Sequence, residues 1–283
     1  MRVVVWPEDD VCDAEVAVCW CPPAGIYQTM PKLRLVQGIA AGVDNLLVDQ
    51  RLDGIAVCRV IDPGQRTGME EYVLWAVLWF QRNFDQAVAQ QRTETWSRTP
   101  YAQASATTIG VMGLGSLGMS VGQRLAGRGY KVRGWSRTHK DVTAIEVYSG
   151  SAGYDAFLSG TNILVCLLPL TRETNGILDR RTFASLPGGA SVIHVGRGDH
   201  LVEADLRSAI VDGHIRGAVI DVFEQEPLPA GHPLWSTPGV VVTPHMATMA
   251  DSALVLEQLT ANVNLVMQGA ARLLNQVDIE RGY

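Results

Sequence analysis

The residues best able to do chemistry stand just past short apolar runs. Arg197 follows SVIHV in the segment VGRGD, Asp221 ends GAVID, Glu226 comes shortly after it in DVFEQEPLP, and His245 follows VVVT in TPHMAT. A guanidinium grips paired oxygens with its planar fork, and a histidine backed by a carboxylate can donate or accept a proton near neutral pH. Taken singly, each has an ordinary explanation: a surface ion pair for Arg197, a helix cap for Asp221, a solvated loop for Glu226, a satisfied core histidine for His245. Together, at the ends of successive apolar runs, they point to one site.

A glycine turn adds a second chemical element. Gly113-Leu114-Gly115-Ser116-Leu117-Gly118 lies between the apolar run 107–112 and a helical stretch reaching about residue 126, with another apolar run at 130–135. In that strand–turn–helix–strand setting Gly113 permits the tight turn, Gly115 lets the backbone approach a pyrophosphate, and Gly118 lets helix and strand pack. The amides of Ser116 and Leu117 face the anion at the positive helix end. After the second run, where an acidic residue would hold the adenine-ribose hydroxyls, the chain reads Trp135-Ser136-Arg137-Thr138-His139-Lys140. Ser136, Arg137 and Lys140 suit a 2′-phosphate instead, so the expected dinucleotide is NADP, as NADPH.

Positioning these groups takes a parallel sheet. Strand-like runs at 162–167, 191–195, 217–221 and 240–243 alternate with amphipathic segments such as 203–212 and complete a six-stranded dinucleotide-binding sheet. The carboxyl ends of its strands would bring Arg197, Asp221, Glu226 and His245 to one edge. Before the sheet lie strand candidates at 3–6, 15–20, 33–37 and 55–58 and a long helix at 68–89; after it comes a helix at 250–268. These flanks are too short for two domains. The expected division is residues 1–73 with 250–283 as a smaller substrate domain, 74–249 as the dinucleotide domain, and a cleft between them.

Composition narrows the function further. Among 283 residues, 23 basic against 29 acidic side chains leave a net charge of −6; only 18% of residues are charged and 47% are apolar, which excludes a disordered chain. There is no basic footprint for nucleic acid or an anionic membrane. The longest apolar run, 72–80, is about half of a bilayer span, and MRVVVW leads straight into Pro7-Glu8-Asp9-Asp10, unlike a secretory leader, so a cytoplasmic protein is expected. Cys12, Cys19, Cys21, Cys58 and Cys166 are odd in number and scattered, which argues for reduced thiols. Cys12 with the Cys19/Cys21 pair could ligate a metal, but the alternation in AEVAVCWC reads better as a half-buried strand, so no metal is expected. Helix 68–89 carries Tyr72, Trp75, Trp79 and Phe80, which suggests a homodimer contact, the alternative being a helix enclosed within one chain.

With these segments assembled, the chain resembles the D-isomer-specific 2-hydroxyacid dehydrogenases, most closely their NADP-dependent glyoxylate/hydroxypyruvate reductase branch. GIAAGVDNLL (38–47), GLGSLG, WSRT, LLPLTRET (167–174), VGRGD, DVFEQEPLP and TPHMAT follow the family's order, and the ending QVDIERGY fits the branch. The resemblance implies a Rossmann-type doubly wound sheet inserted into a smaller, abridged flavodoxin-like α/β substrate domain. It also implies NADPH-dependent reduction of a small 2-oxoacid. Arg197 would hold the carbonyl and carboxylate oxygens, His245 would donate the proton, and Glu226 would stabilise its imidazolium. The amides of Ala41, Gly42 and Val43 would hold the carboxylate, with Trp20 as a pocket wall. Leu168, Pro169, Thr174 and Val195 would line the cofactor, and Asp221 would accept from its carboxamide. Two departures stand out: His194 and Gly196 replace the common Asn and Ala before the arginine, and run 3–6 matches what is normally a second strand, leaving a short crossover. Two other functions stay open, an NAD-linked dehydrogenase of a larger 2-hydroxyacid and a dinucleotide-sensing regulatory protein.

Overall fold

A computed structural model describes residues 2–47, 52 and 54–279, which divide into two compact units, Met1–Gln65 with Met249–Tyr283, and Arg66–Thr248. In the first unit β1 (Val16–Cys19), β2 (Leu35–Gly38) and β3 (Ala56–Cys58) pair in parallel in the order β1-β2-β3. Parallel neighbours need a crossover; between β1 and β2 it carries a 3-10 turn at Ile26–Thr29 rather than an α-helix. The closing helix α7 (Ser252–Met267; helices are numbered along the chain) starts on Asp251, whose carboxylate accepts from the amides of Ala253 and Leu254. Its buried Asn262 donates to the buried Gln37 at 2.8 Å and exchanges bonds with Leu274, tying the two chain ends into one unit.

The run at 3–6 is not a strand. Residues 2–5 have no regular structure and Trp6 opens a turn in which the Val5 amide donates to Asp9; Val3, Val5 and Trp6 are all exposed. An apolar run becomes a strand only where a neighbour offers a ladder and a face to bury, and here β1 already ends the sheet. The short crossover expected from that run therefore does not arise.

Most of α1 (Pro63–Gln81) and all of α2 (Phe84–Arg92) belong to the second unit. The single helix expected over 68–89 breaks at Asn83, whose backbone is left-handed at φ 58°. Asn tolerates that conformation better than most residues. Its side chain holds the corner, donating to Pro100 O at 2.9 Å and accepting from Arg216 at 2.7 Å.

The sheet that follows has seven parallel strands, one more than expected. These are β4 (Thr108–Met112), β5 (Lys131–Ser136), β6 (Glu146–Ser149), β7 (Ile163–Cys166), β8 (Ala190–His194), β9 (Ile215–Ile220) and β10 (Val240–Val242), in the order β10-β9-β8-β7-β4-β5-β6. Helices α3 (Ser116–Ala126), α4 (Tyr154–Ser159), α5 (Arg180–Ser185) and α6 (Glu203–Val211) connect them. Strands β7 and β8 are buried along their whole length, as a sheet covered on both faces requires. One face packs Val73, Val77 and Phe80 of α1 with Val121 and Leu125 of α3, and the other packs Phe157, Phe183 and Leu206. No helix among the described residues is long and apolar enough to cross a membrane.

Candidate active site

Because the strands run parallel, the segments that follow β4, β5, β7, β8, β9 and β10 all leave the same edge of the sheet. Arg197 comes off β8, Asp221 and Glu226 off β9, and His245 off β10. Gly198 lets two of these segments meet: a Cβ there would lie 1.9 Å from the Phe223 carbonyl carbon, so only glycine allows the arginine loop to lie against the β9 loop.

Glu226 and His245 form the chemical centre of that edge. Glu226 Oε2 lies 2.7 Å from His245 Nδ1, and its Oε1 accepts from the Phe223 amide at 2.9 Å. Both side chains are about one-third exposed, at 33% and 31%. Burial pushes the Glu226 carboxyl up, but the hydrogen bonds from His245 and Phe223 and the charges of His245 and Arg197 outweigh it and leave it below the ordinary carboxylate range. With Nδ1 engaged by the carboxylate, a proton passed by this ring would leave from Nε2. Arg197 is half-buried, and its Nη1 donates to Gly196 O at 2.8 Å.

Asp221 holds this histidine from behind. Its side chain is buried, with Oδ1 accepting from Thr243 Oγ1 at 2.6 Å and from the Met246 amide at 2.9 Å, while Oδ2 accepts from the Ala247 amide at 2.9 Å. Its backbone carbonyl takes the His245 amide at 2.9 Å. His245 needs such support, because φ 49° is a left-handed conformation that costs a non-glycine residue about 1–3 kcal/mol. The sequence assigned Asp221 to a cofactor; here its oxygens grip the turn around His245.

The glycine turn has the geometry that a pyrophosphate site needs. Gly113 is left-handed at φ 99°, and a Cβ on Gly118 would lie 1.8 Å from Gly113 O, whereas a Cβ on Gly115 meets nothing within 4 Å. Two glycines close the turn and the third leaves space open beside the start of α3. Lys140 reaches back to donate to Leu114 O at 2.7 Å, bracing the turn, and the Ser136 hydroxyl donates to Thr138 O at 2.8 Å. Arg137 is exposed beside them and is one of the charges that lower the Glu173 carboxyl, after that residue's own amide, Thr171 and Arg172. In the loop after β7, Thr174 Oγ1 donates to Pro169 O at 2.8 Å and accepts from the Thr171 amide at 2.8 Å, which rounds the loop off. Leu168 and Val195 are buried at the ends of β7 and β8.

The remaining sequence-predicted residues belong to the other unit. Trp20 follows β1 and is 38% exposed, so it is not a core residue. Val43 is buried, Ala41 and Gly42 are half-buried, and among the described residues no hydrogen bond uses the amides of these three.

Sequence reasoning gave four contributors no role at this site. Tyr72 on α1 lies 2.5 Å from Thr243 Oγ1; because that hydroxyl gives its proton to Asp221, the tyrosine is the donor, and burial pushes its phenol above the ordinary range. Arg66 donates to Ser116 Oγ at 3.3 Å, a cation at the first residue of α3. His194 and His200 bond to the Arg197 backbone. Only His194 left a signal, as a departure from the familiar pattern.

The family model described as D-isomer specific 2-hydroxyacid dehydrogenase, NAD binding domain, matches residues 74–247. A relative from Yersinia enterocolitica named glyoxylate/hydroxypyruvate reductase A is 37% identical over 284 residues, covering 98% of this chain and 90% of its own. A Klebsiella pneumoniae crystal structure of a D-isomer specific 2-hydroxyacid dehydrogenase family protein superposes with a TM-score of 0.90 at 44% identity, over 95% of this chain and 86% of that one. A Sinorhizobium meliloti NADPH-dependent glyoxylate/hydroxypyruvate reductase, solved with NADP and sulfate, gives a TM-score of 0.87 at 34% identity, over 98% of this chain and 89% of that one.

Proposed function

Since this chain belongs to the D-isomer-specific 2-hydroxyacid dehydrogenases, we propose that it uses NADPH to reduce small 2-oxoacids, glyoxylate and hydroxypyruvate, to D-2-hydroxyacids. The observation that carries this reading is the Glu226–His245 pair, 2.7 Å apart on the sheet edge that also bears Arg197.

The residues at the glycine turn fit the cofactor. Gly115 faces open space, the amides of Ser116 and Leu117 begin α3, Arg66 and Lys140 add positive charge, and Arg137 stands exposed for a 2′-phosphate. NADPH held there supplies the hydride that the C2 carbonyl carbon accepts. Arg197 holds the carbonyl oxygen and one carboxylate oxygen of the 2-oxoacid in its planar fork, which polarises the carbonyl and fixes its orientation. As negative charge develops on the carbonyl oxygen, His245 releases the proton from Nε2 to it. Glu226 keeps the other nitrogen protonated and stabilises the imidazolium that must precede the transfer. Asp221 keeps the turn that carries the ring in place. The amides of Ala41, Gly42 and Val43 suit a carboxylate, and Trp20 suits a bulky wall that favours short substrates.

The enzyme works as a cytoplasmic homodimer in this reading. Its thiols are free, and Trp75, Phe84 and Val88 along α1 and α2 are exposed. The test of the activity is a steady-state screen of glyoxylate, hydroxypyruvate and longer 2-oxoacids with NADPH and NADH. Highest kcat/KM with a two- or three-carbon acid and NADPH is expected; preference for NADH or for a long side chain overturns the assignment.

A further inference from the structure

Around Arg197 lies a buried group that the mechanism above does not use. Cys166 at the end of β7, His194 at the end of β8 and His200 in the turn after Arg197 bring three donor atoms within 4.8 Å of one another. Such a set invites a metal reading, and the hydrogen bonds argue against it. Both nitrogens of His200 are occupied, Nδ1 at 3.0 Å from the Arg197 amide nitrogen and Nε2 at 3.2 Å from Pro169 O. Burial also pushes the Cys166 thiol up to about 12, which opposes the thiolate a metal would need.

The same bonds fix both tautomers. An amide N–H only donates, so His200 Nδ1 is bare; a carbonyl only accepts, so His200 Nε2 carries the proton. By the same reasoning His194 Nε2, 2.8 Å from Arg197 O, carries its proton, and His194 Nδ1 is bare. That bare nitrogen is buried with no hydrogen-bond partner. A buried unpaired acceptor calls for an explanation, and the explanation lies at the other side of the ring.

Arg197 is gripped at both of its backbone polar groups. His200 takes its N–H; its carbonyl receives the His194 imidazole and, at 3.0 Å, the His200 amide. The backbone is thereby held extended at φ −139° and ψ 147°. Burial drives His194 down to about 3 and His200 below the ordinary histidine range, so neither ring adds charge beside the guanidinium at neutral pH. Gly196 is part of the same fitting: a Cβ there would lie 2.9 Å from His200 Nδ1 and would displace the ring.

We propose that His194 and His200 are positioning residues that clamp the Arg197 backbone from both sides, so that its guanidinium is presented to the 2-oxoacid in one orientation. The proposal rests on the role given to Arg197 above, and it deepens that reading.

The test uses variants chosen atom by atom. His200→Phe keeps a ring and loses the acceptor, while His200→Asn puts an oxygen where Nδ1 stood; His194→Leu loses the donor, while His194→Gln restores an N–H at the position of Nε2. For His200→Phe and His194→Leu, kcat/KM for glyoxylate falls about 10- to 100-fold, with NADPH affinity within about twofold of wild type and the pH limbs unmoved. The Asn and Gln variants recover most of the loss. Gly196→Ala, acting through the His200 ring alone, gives a smaller loss of the same kind. In an Arg197→Ala background the His200→Phe change costs less than about threefold more, because the group it positions is gone. Equal losses in both backgrounds, losses that fall on NADPH affinity, or folded Asn and Gln variants that recover nothing overturn the clamp alone. An Arg197→Ala enzyme with unchanged kcat/KM overturns the arginine's role and the clamp with it.

Discussion

Replacing Asp221 by Asn changes a single atom, and the surroundings of that atom give the size of the effect. Three donors converge on the side chain: Thr243 Oγ1 and the Met246 amide on Oδ1, and the Ala247 amide on Oδ2. With its oxygen in the Oδ1 place, the asparagine keeps the first two bonds and turns an NH2 toward the Ala247 N–H. That loses a charge-assisted bond of about 1.5–3 kcal/mol and strands a buried N–H at a further cost of about 1–3 kcal/mol. The turn can escape most of this by letting go, since release also relieves the left-handed strain of about 1–3 kcal/mol at His245. A bias of about 3 kcal/mol toward the released turn leaves the imidazole in place in about one molecule in 10². Single-turnover oxidation of NADPH by glyoxylate, followed by absorbance, should therefore slow about 10²-fold, while NADPH affinity from a fluorescence titration changes by less than about tenfold. If turnover stays within about threefold of wild type while NADPH affinity falls about 100-fold, Asp221 serves the cofactor and not the histidine, and the reasoning fails.

Three other outcomes follow from the same geometry. Arg137→Ala should weaken NADPH by about 1.5–3 kcal/mol and leave NADH nearly unchanged, as read by titrating both; equal losses would remove the arginine from the phosphate. The Glu226 carboxyl is depressed in the folded protein, so the stabilisation that it contributes is present above the ordinary carboxylate range and is lost as pH falls through its lowered value. Glu226→Gln, which removes the charge 2.7 Å from His245 Nδ1, should lower kcat for glyoxylate about 10- to 100-fold while NADPH affinity is retained; an unchanged kcat would detach the carboxylate from the histidine. Gly115→Ala, whose new methyl meets open space, should keep the melting temperature and lose dinucleotide affinity, whereas Gly118→Ala, with its Cβ 1.8 Å from Gly113 O, should unfold several degrees earlier. Identical behaviour of the two would show that the turn's glycines serve packing alone.

The parts of the fold that were legible are those in which one property repeats along a strand. β7 and β8 are buried throughout, and the apolar runs at 162–167 and 191–195 marked them within a residue or so. β6 escaped because Glu146–Ser149 sits at the sheet's outer position with no buried residue, so its pattern resembles a loop. The break in helix 68–89 escaped because what favours it is distant in sequence: Arg216, on β9 beside the edge strand, bonds Asn83 and Asp85. Conversely, the run at 3–6 has the composition of a strand and no ladder to join. Pattern reports what a residue prefers, and long-range pairing decides whether the preference is met.

The site divides along the same line. Arg197, Glu226 and His245 were visible because polar residues at the ends of apolar strands have few structural uses. The groups that orient them were not, since each acts through a contact that no local spacing encodes: Tyr72 through Thr243 to Asp221, His194 and His200 through the Arg197 backbone. In both cases a buried or half-buried polar side chain is spent on the backbone or hydroxyl of a neighbour. Rigid strands bring the reacting groups to one edge, but strand ends alone leave loops free to turn. The Asp221 cradle and the paired imidazoles remove that freedom at His245 and Arg197, the two side chains on whose placement the proposed hydride and proton transfer depends most.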